Sequence, residues 1–306
     1  MKEKGTSYSE FYKNFCEKYK KEIVPTVKIY EKSRKTKLIN ASILSSVFFV
    51  LGTFLVFVAF NEKTPGRLIE LIFYLYLLSF LSWYWIKKNF EKSIKKKIMP
   101  AVCSCFENMN WSCEVYHQGN LFTEAGVVPK FNYSKYDDIF KGLYKDINYE
   151  IVEAKYIIGS RKHRTTVFEG VVVKIDLNKT FNSHTVIKPN LVFNISPVKN
   201  LNHTQLEDIQ FNKKFDVYTN DEIEARVLIT PIFMERLKNM KTAFSSADVS
   251  CAFYKEYLII ALPTNRDLFS ICSLIKPIYD KEQYEQMYEE VLSIIKLIDY
   301  FKLNKK

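Results

Sequence analysis

Glycine and histidine are scarce in this 306-residue chain, which has eight Gly and four His. The sequence contains none of the motifs GxxxxGK(S/T), GxGxxG, GxSxG or HExxH. These motifs cradle phosphates, expose a nucleophilic serine or hold zinc, so their absence removes the sequence signal for P-loop nucleotidases, dinucleotide-binding folds, serine hydrolases and zinc proteases. The sequence therefore predicts no cofactor. Whether the protein is an enzyme stays open, but the missing motifs favour a protein that is not an enzyme.

Cysteine pairs with the spacing of a zinc site are also missing. The six cysteines are Cys16, Cys103, Cys105, Cys113, Cys251 and Cys272. No two are separated by the two residues of a CxxC motif, and only His117 follows Cys113 closely, without a second histidine beside it. We predict no metal site and reduced thiols that pack as small apolar side chains.

Charge is absent over the 23 residues from Leu38 to Phe60, and a second apolar run, Leu68 to Ile86, carries one acid, Glu70. A helix needs roughly 20 residues to cross the hydrocarbon core of a bilayer, so both runs are long enough. Pro65 and Gly66 favour a turn between them. The sequence predicts a transmembrane hairpin with spans at about 38–60 and 68–86.

Basic residues precede the first span and follow the second, so they lie at the end of the hairpin opposite its connecting turn. Residues 1–37 carry eleven Lys and Arg against five Glu, and residues 87–100 carry six Lys against one Glu. Because basic flanks stay on the cytoplasmic side, we predict a multi-pass protein of the plasma (inner) membrane with cytoplasmic N- and C-termini. The residues predicted to contact lipid are Trp83, Trp85, Lys87, Lys88, Lys95 and Lys96.

The net charge of +11 is concentrated beside the membrane. Residues 101–306 contain 26 basic and 26 acidic side chains, so this part of the chain is neutral. Nucleic-acid binding depends on a cationic surface, and the large domain lacks that excess. The predicted partners are a bilayer with an anionic inner leaflet and, through the neutral domain, a protein at the membrane.

Four regions follow from this topology: an amphipathic cytosolic helix within residues 1–37, the hairpin at 38–86, a basic juxtamembrane helix at 87–110, and a cytosolic domain at 111–306. Residues 114–140 show no lasting periodicity, which is typical of loops. Helices are predicted at 221–241, with a break near Pro231, and at 281–301. Strands are predicted at 147–158, 165–177, 183–188, 190–195, 213–219, 249–253, 257–263 and 269–274. Successive strands flanked by helices favour an α+β fold with an antiparallel sheet.

Two groups of polar residues are candidates for chemistry in this domain. Asp216, Glu222, Glu224 and Arg226 form its densest polar cluster, and carboxylates that enter a cleft can act as general acid and base. Asp176, Asn178 and Lys179 follow a predicted strand, where they either bind a ligand or satisfy the backbone of a turn.

Two stretches of the domain are familiar as sequence. They are FEGVVVKIDLNKTFNSHTVIKP, which begins at Phe168, and LEDIQFNKKFDVYTNDEIEARVLITPIFMERL, which begins at Leu206. Both resemble the bacterial membrane family known as domain of unknown function 3137. The resemblance implies an N-terminal helix, two spans and a cytosolic α+β domain, and it implies no activity, cofactor or catalytic residue.

The function that these observations favour is a binding or scaffolding module displayed at the cytoplasmic face of the membrane. The alternative is a membrane-tethered hydrolase or transferase that uses the carboxylates between Asp216 and Arg226. The two hypotheses differ in one geometric requirement, because only the enzyme needs those side chains to converge in a cleft.

Overall fold

A computed structural model of the chain describes residues 3–61, 66–106, 108–160, 163–190, 197–265, 273–278 and 281–303. Two compact units emerge from these residues. The first, the helical unit, contains the chain up to Cys105 together with 273–278 and the start of the last helix. The second, the sheet unit, contains 106–265 and the rest of that helix.

The helical unit consists of three long helices and one irregular turn. Helix α1 runs Glu3–Lys18, a π-helical turn occupies Tyr19–Ile23, α2 runs Val24–Asn61, and α3 runs Gly66–Cys103. Helix α2 therefore passes through position 38 without a break. The predicted boundary between 37 and 38 marks a change from charged to apolar residues, not the end of a helix. Pro25 lies two residues after the π-helical turn, so the hydrogen-bond ladder is irregular at the position where the proline has no N–H to donate.

The predicted juxtamembrane helix at 87–110 is too long. Helix α3 ends at Cys103, and residues Met109–Ser112 form a strand. Ser104 follows the last helical residue. Its hydroxyl donates a hydrogen bond to the carbonyl of Ala101, and its own carbonyl accepts one from the Lys18 ammonium. Asn108, with φ of 49°, then turns the chain out of helical geometry.

The apolar stripe of the N-terminal helix is buried in protein. Phe15, Tyr19 and Ile23 are at most 8% exposed, and the ring of Tyr19 meets that of Tyr284 edge-on at 5.3 Å. Burying this stripe removes apolar surface from water at roughly 25 cal/mol per Å². The described part of this helix therefore docks on the helical unit.

Helices α2 and α3 each contain a stretch long and apolar enough to cross a membrane. Their large apolar side chains point outward, with Phe54, Phe57, Phe60, Phe73 and Phe80 all more than 60% exposed. A protein surface in water does not tolerate such a dense apolar belt. These two helices indicate membrane association.

Small and polar residues lie where the two apolar helices meet. The hydroxyls of Ser45 and Ser79 lie 2.8 Å apart, and the Ser79 hydroxyl also donates to the carbonyl of Ser45 at 2.9 Å. Gly52 brings the backbone of α2 close to the ring of Tyr76, at 3.2 Å from where a Cβ would lie. Such small-residue contacts and cross-helix hydrogen bonds hold helices together in lipid.

The serine pair gives a first prediction. In the double variant S45A/S79A, we expect the association of α2 with α3 to weaken by about 1 kcal/mol, because two cross-helix hydrogen bonds are lost in a medium that offers no water. The measurement is the midpoint of SDS-induced unfolding. The control is S46A, since Ser46 is exposed on the same helix. Equal midpoints for all three proteins would show that the pair contributes nothing.

A buried ion pair fastens residues 273–278 to the helical unit. Arg34 binds Glu31 through two hydrogen bonds of 2.7 and 2.9 Å, and it also donates to the carbonyl of Leu274 at 2.8 Å. A carboxylate oxygen of Glu31 accepts the N–H of Ile278 at 3.3 Å, and that of Glu91 accepts the N–H of Leu274 at 3.2 Å. We call this network the Arg34 clamp.

The pKa of Glu31 is lowered within the clamp. Burial alone would raise the pKa, but the hydrogen bonds from Arg34 and the Ile278 N–H, together with the Arg34 charge, outweigh burial. The carboxylate is therefore ionised at neutral pH, and both charges of the pair are present inside the protein.

The sheet unit is built on nine described strands. They are β1 Met109–Ser112, β2 Tyr133–Tyr144, β3 Ile147–Gly159, β4 Arg164–Asp176, β5 Thr185–Pro189, β6 Asn202–Thr204, β7 Phe215–Thr219, β8 Ser250–Tyr254 and β9 Tyr257–Pro263. They form one antiparallel sheet in the order β1-β2-β3-β4-β9-β8-β5-β7-β6. Helices are α4 Gly119–Glu124, α5 Ile209–Asn212, α6 Glu222–Leu228, α7 Pro231–Ala243 and α8 Lys281–Leu303. The α+β prediction is confirmed.

Each face of the sheet has its own cover. On one face, Phe301 of α8 contacts Phe233 of α7 and Phe253 of β8, with ring centroids 5.8 Å apart in both pairs. On the other face, residues 116–131 with α4 pack against alternate residues of the central strands, among them Val152 and Val186. This second face carries the cleft described below.

The structure corrects the prediction that residues 114–140 form only loops and short turns. They contain α4 and the first part of β2, and β1 just before them was also not predicted. Strand β2 lacks a clear alternation because a bulge lies between Tyr136 and Ile139, at two consecutive aspartates. One of these, Asp138, is fully buried and accepts the indole N–H of Trp111 at 2.7 Å.

The short elements β6 and α5 were likewise missed, since three- and four-residue segments are too short to show a period. The predicted strand at 190–195 and most of the one at 269–274 fall outside the described residues. Cys272 does too.

Candidate functional site

Strand β5 supports a turn of the chain at residues 125–128. His184, Val186 and Lys188 lie on the same side of this strand and its N-terminal approach because side chains alternate along an extended chain. The ring of His184 contacts the carbonyl of Ala125 through Nε2 at 3.0 Å. The Lys188 ammonium donates to the carbonyl of Val127 at 2.8 Å.

Gly126 allows the turn to lie this close to the sheet. Its φ of +80° is in the left-handed region, and a Cβ there would come within 2.7 Å of a methyl of Val198. Any other residue would meet both backbone strain and a collision at this position. The glycine therefore allows the Val127 carbonyl to approach the Lys188 ammonium to 2.8 Å.

A cleft of about 750 Å³ opens beside this turn, within the size range of small-molecule sites. Its lining comes from the turn, from strands β4, β5, β8 and β9, and from the segments that follow α7 and β9. Apolar lining residues are Val127, Pro129, Val167, Phe168, Ala247, Ala261 and Pro263. Polar lining residues are Thr166, Glu169, Lys188, Ser245, Ser250, Thr264 and Asn265.

Of the described residues that line this cleft, Lys188 is the one cation. Burial lowers the pKa of its ammonium to about 8, and the nearby Cys251 opposes this shift only in part. Among the described residues, no carboxylate lies within 4 Å of the ammonium, and the Val127 carbonyl is the acceptor it contacts. A carbonyl accepts one of three N–H donors and does not neutralise the charge.

The acidic groups around Lys188 are engaged with other partners. The carboxylate of Glu169, which lines the cleft, lies 2.6 Å from the Lys155 ammonium. Asp216 is opposite Lys188 in the β5–β7 register, and its buried carboxylate contacts His203 Nε2 at 3.2 Å. Burial raises the pKa of the Cys251 thiol, so this group is neutral and provides no counter-charge. Glu169 is thus paired with another ammonium, Asp216 is hydrogen-bonded to an imidazole, and neither carboxylate lies within 4 Å of the Lys188 ammonium, so its remaining N–H donors are open to an anion.

His184 gives a pH-dependent prediction. Burial lowers its pKa from the ordinary 6.5, and the contact with the Ala125 carbonyl opposes the shift only partly. A base with a lowered folded-state pKa binds protons more readily when unfolded, so its contribution to stability is present above pH 6.5 and is lost as pH falls through the lowered pKa. We expect H184Q, which keeps a donor but does not titrate, to flatten this acid-side decline.

The matched control for that experiment is H117Q, since His117 is exposed. The measurement is the apparent melting temperature between pH 5 and 8. Identical pH profiles for wild type and H184Q would show that His184 is not responsible for acid sensitivity.

The four residues of the Asp216–Arg226 cluster have separate surroundings. Asp216 contacts His203, and Glu224 accepts the backbone N–H of Ser183 at 2.6 Å. Glu222 and Arg226 form a half-exposed i,i+4 pair at 3.5 Å on α6. They do not converge in one cleft, so the described geometry gives no support to an enzyme that uses these carboxylates.

The second group lies in a turn. Asp176 accepts the N–H of Asn178 at 3.0 Å, and the Asn178 amide donates to the carbonyl of Asp146 at 2.8 Å. Asn178 has φ of 51°, which its side chain tolerates well, and Lys179 is exposed. These contacts stabilise the turn after β4.

The side chains predicted to contact lipid all lie on α3. Trp85 is 67% exposed, and the Lys88 ammonium lies 5.7 Å from the centroid of the Tyr84 ring. In the part of the chain that the structure describes, no three His, Cys, Asp or Glu side chains come together as metal ligands.

Lys188 was not among the residues singled out from the sequence. A lysine in a short strand normally points to solvent, and β5 is covered on both faces, so alternation could not assign its side. One signal was available in the sequence. Lys188 is two residues after Val186, so both side chains lie on the same face of the strand, and the run contains no acidic residue to pair with the lysine.

Comparison with known proteins gives a family and one distant structure. Residues 166–303 match the model of a family described as "Protein of unknown function (DUF3137)". A search of curated proteins gives no match. The crystal structure of the mycobacterial trehalose monomycolate transport factor A, TtfA, is similar at 10% identity and a TM-score of 0.38, over 69% of this chain and 92% of that one. A similarity this low carries no information about activity.

Proposed function

We propose a function from the geometry, because the DUF3137 family model that residues 166–303 match brings no activity with it. The protein is a membrane-anchored binding module. The α2–α3 hairpin anchors it, and the sheet unit holds a ligand in the cleft beside Lys188. The observation that carries this proposal is a half-apolar cleft whose lysine has no acidic partner among the described residues.

Energetics support a binding role for Lys188. Lys188 is half-buried, and a partly desolvated charge without an ionic partner lowers the stability of a fold; such groups are found where function requires them. Holding the 125–128 turn does not require a charge, since a neutral donor could satisfy the Val127 carbonyl. The charge is explained if a bound anion neutralises it.

The proposal places the sheet unit and both termini in the cytoplasm, at the plasma (inner) membrane. Support comes from the lysines before α2 becomes apolar and after Trp85 in α3. Cys113 offers a natural reporter, because its side chain is exposed and belongs to the sheet unit. A membrane-impermeant maleimide should label Cys113 in inside-out vesicles and fail to label it in intact cells. C113S is the control, and labelling in intact cells would contradict this orientation.

In-membrane photo-crosslinking tests the binding function. Thr166 is exposed and lines the cleft, so we place a benzophenone side chain there in the full-length protein. The control position is Glu222 on α6, which is exposed and is not part of the cleft lining. We expect a discrete adduct from position 166 that is absent from position 222. No adduct at 166, or the same products at both positions, would overturn the proposal.

A further inference from the structure

We infer that the ligand of this cleft has an apolar body and one anionic head, a carboxylate or a phosphate, which contacts the Lys188 ammonium. The inference rests on the proposed binding function and specifies the chemistry of its ligand. It combines three observations: the apolar half of the lining, the one cation among its described residues, and the contacts of the neighbouring acids with other partners.

The lining determines the body of the ligand. Seven of its fourteen residues are Val, Ala, Pro or Phe, and they come from strands β4 and β9 and from two loops. An apolar body would remove this surface from water, while a fully polar ligand would leave it unmatched.

The position of Lys188 determines the head. Its ammonium is anchored on the Val127 carbonyl at 2.8 Å and has two further N–H donors. Oxygen atoms of a carboxylate or phosphate are the acceptors that form the strongest hydrogen bonds with an ammonium. Glu169 does not compete, because its carboxylate already lies 2.6 Å from Lys155.

The polar lining is consistent with one head rather than several. Thr166 and Ser250 present hydroxyls, and Asn265 presents an amide, all of which can donate to an anion without adding charge. Because Lys188 is the one cation among the described lining residues, a ligand with two separated anionic groups would leave one of them unmatched. The cleft therefore fits a monoanionic head or one phosphate.

Chemical labelling of Lys188 provides the test in the full-length protein in lipid nanodiscs. An amine with a pKa of about 8 is about half free base at pH 8, whereas ordinary lysines are almost entirely protonated, so an acylating reagent should modify Lys188 early. The rate is read by peptide mass spectrometry. The probes are hexanoate, hexyl phosphate, hexan-1-ol and inorganic phosphate, each added separately, with the exposed Lys179 as the internal reference.

We expect hexanoate or hexyl phosphate to slow acylation of Lys188 by about tenfold, because an anion holds the ammonium in its protonated form. Hexan-1-ol and inorganic phosphate should have less than about a twofold effect, and Lys179 should not respond. The ratio between hexanoate and hexyl phosphate identifies the head group. Equal protection by hexan-1-ol, protection by inorganic phosphate as strong as by the alkyl anions, or no protection by any probe would overturn the inference.

Two variants separate this inference from the proposed function. Binding of hexanoate or hexyl phosphate, followed by saturation-transfer NMR, should be lost in K188M and retained in K188R, whose guanidinium keeps the charge. If K188M binds as wild type does, the anionic head is wrong while the binding function stands. If position 166 yields its adduct but no probe binds, the module holds a ligand of another class. Loss of the adduct itself removes the proposed function.

Discussion

The variant R34M is expected to lose about 3–5 kcal/mol of stability in the helical unit. The substitution leaves the ionised Glu31 carboxylate buried without its partner and deprives the Leu274 carbonyl of its donor. Residues 273–278 should then detach from the helices. Leu274, which is fully buried, should become a site of chymotryptic cleavage.

Two controls make that prediction specific. K32M changes an exposed residue two positions before Arg34 and should leave the cleavage rate and the melting temperature unchanged. The double variant E31Q/R34M removes both charges and should recover part of the loss, because no unpaired charge remains. If R34M were cleaved no faster than wild type, the clamp would not hold residues 273–278.

The variant K188M is expected to abolish anion binding and, at the same time, to stabilise the sheet unit. Removing a desolvated ammonium recovers roughly 1–2 kcal/mol at pH 7, after allowance for the lost hydrogen bond to Val127. The pKa of Lys188 is lowered from 10.5 to about 8, so the unfolded state holds the proton more tightly. The penalty is therefore fully present below pH 8 and disappears as pH rises toward 10.5.

The gain in stability should follow the same pH dependence. Glu169 and Asp216, the acids nearest in the strands around Lys188, keep Lys155 and His203 as their partners in both proteins, and the Cys251 thiol is neutral. The difference in melting temperature between K188M and wild type should be greatest near pH 7 and vanish above pH 10. K179M, at an exposed lysine, should show no difference at either pH. A destabilised K188M would mean that the ammonium is structural.

The long, regular elements of this fold could be predicted from the sequence, because each has a sustained period. Strands β3 and β4 are rich in branched residues over 13 positions each, and α8 presents one apolar stripe. The alternation of β2 is interrupted by a bulge at Asp137 and Asp138. The carboxylate of Asp138 can be buried because it accepts a hydrogen bond from the indole N–H of Trp111. That compensation depends on a residue 27 positions away, which no local pattern contains.

The candidate site was not predictable for a related reason. The polar residues that are dense in sequence, Glu222 to Arg226, are dense because a helix begins there with Asp221 as its N-cap. Lys188 contacts the 125–128 turn, which is about 60 residues earlier in the chain. The close approach of this turn to the strand depends on Gly126. Burial and charge neutralisation are tertiary properties, so a lysine with no acidic partner can be recognised only in the folded protein.

Native mass spectrometry of the full-length protein, released from membranes without added ligand, tests the central claim most directly. Wild type is predicted to carry one bound anionic compound of defined mass, K179M to carry the same compound, and K188M to carry none. A wild-type protein without an adduct, or an adduct that persists in K188M, would contradict the account.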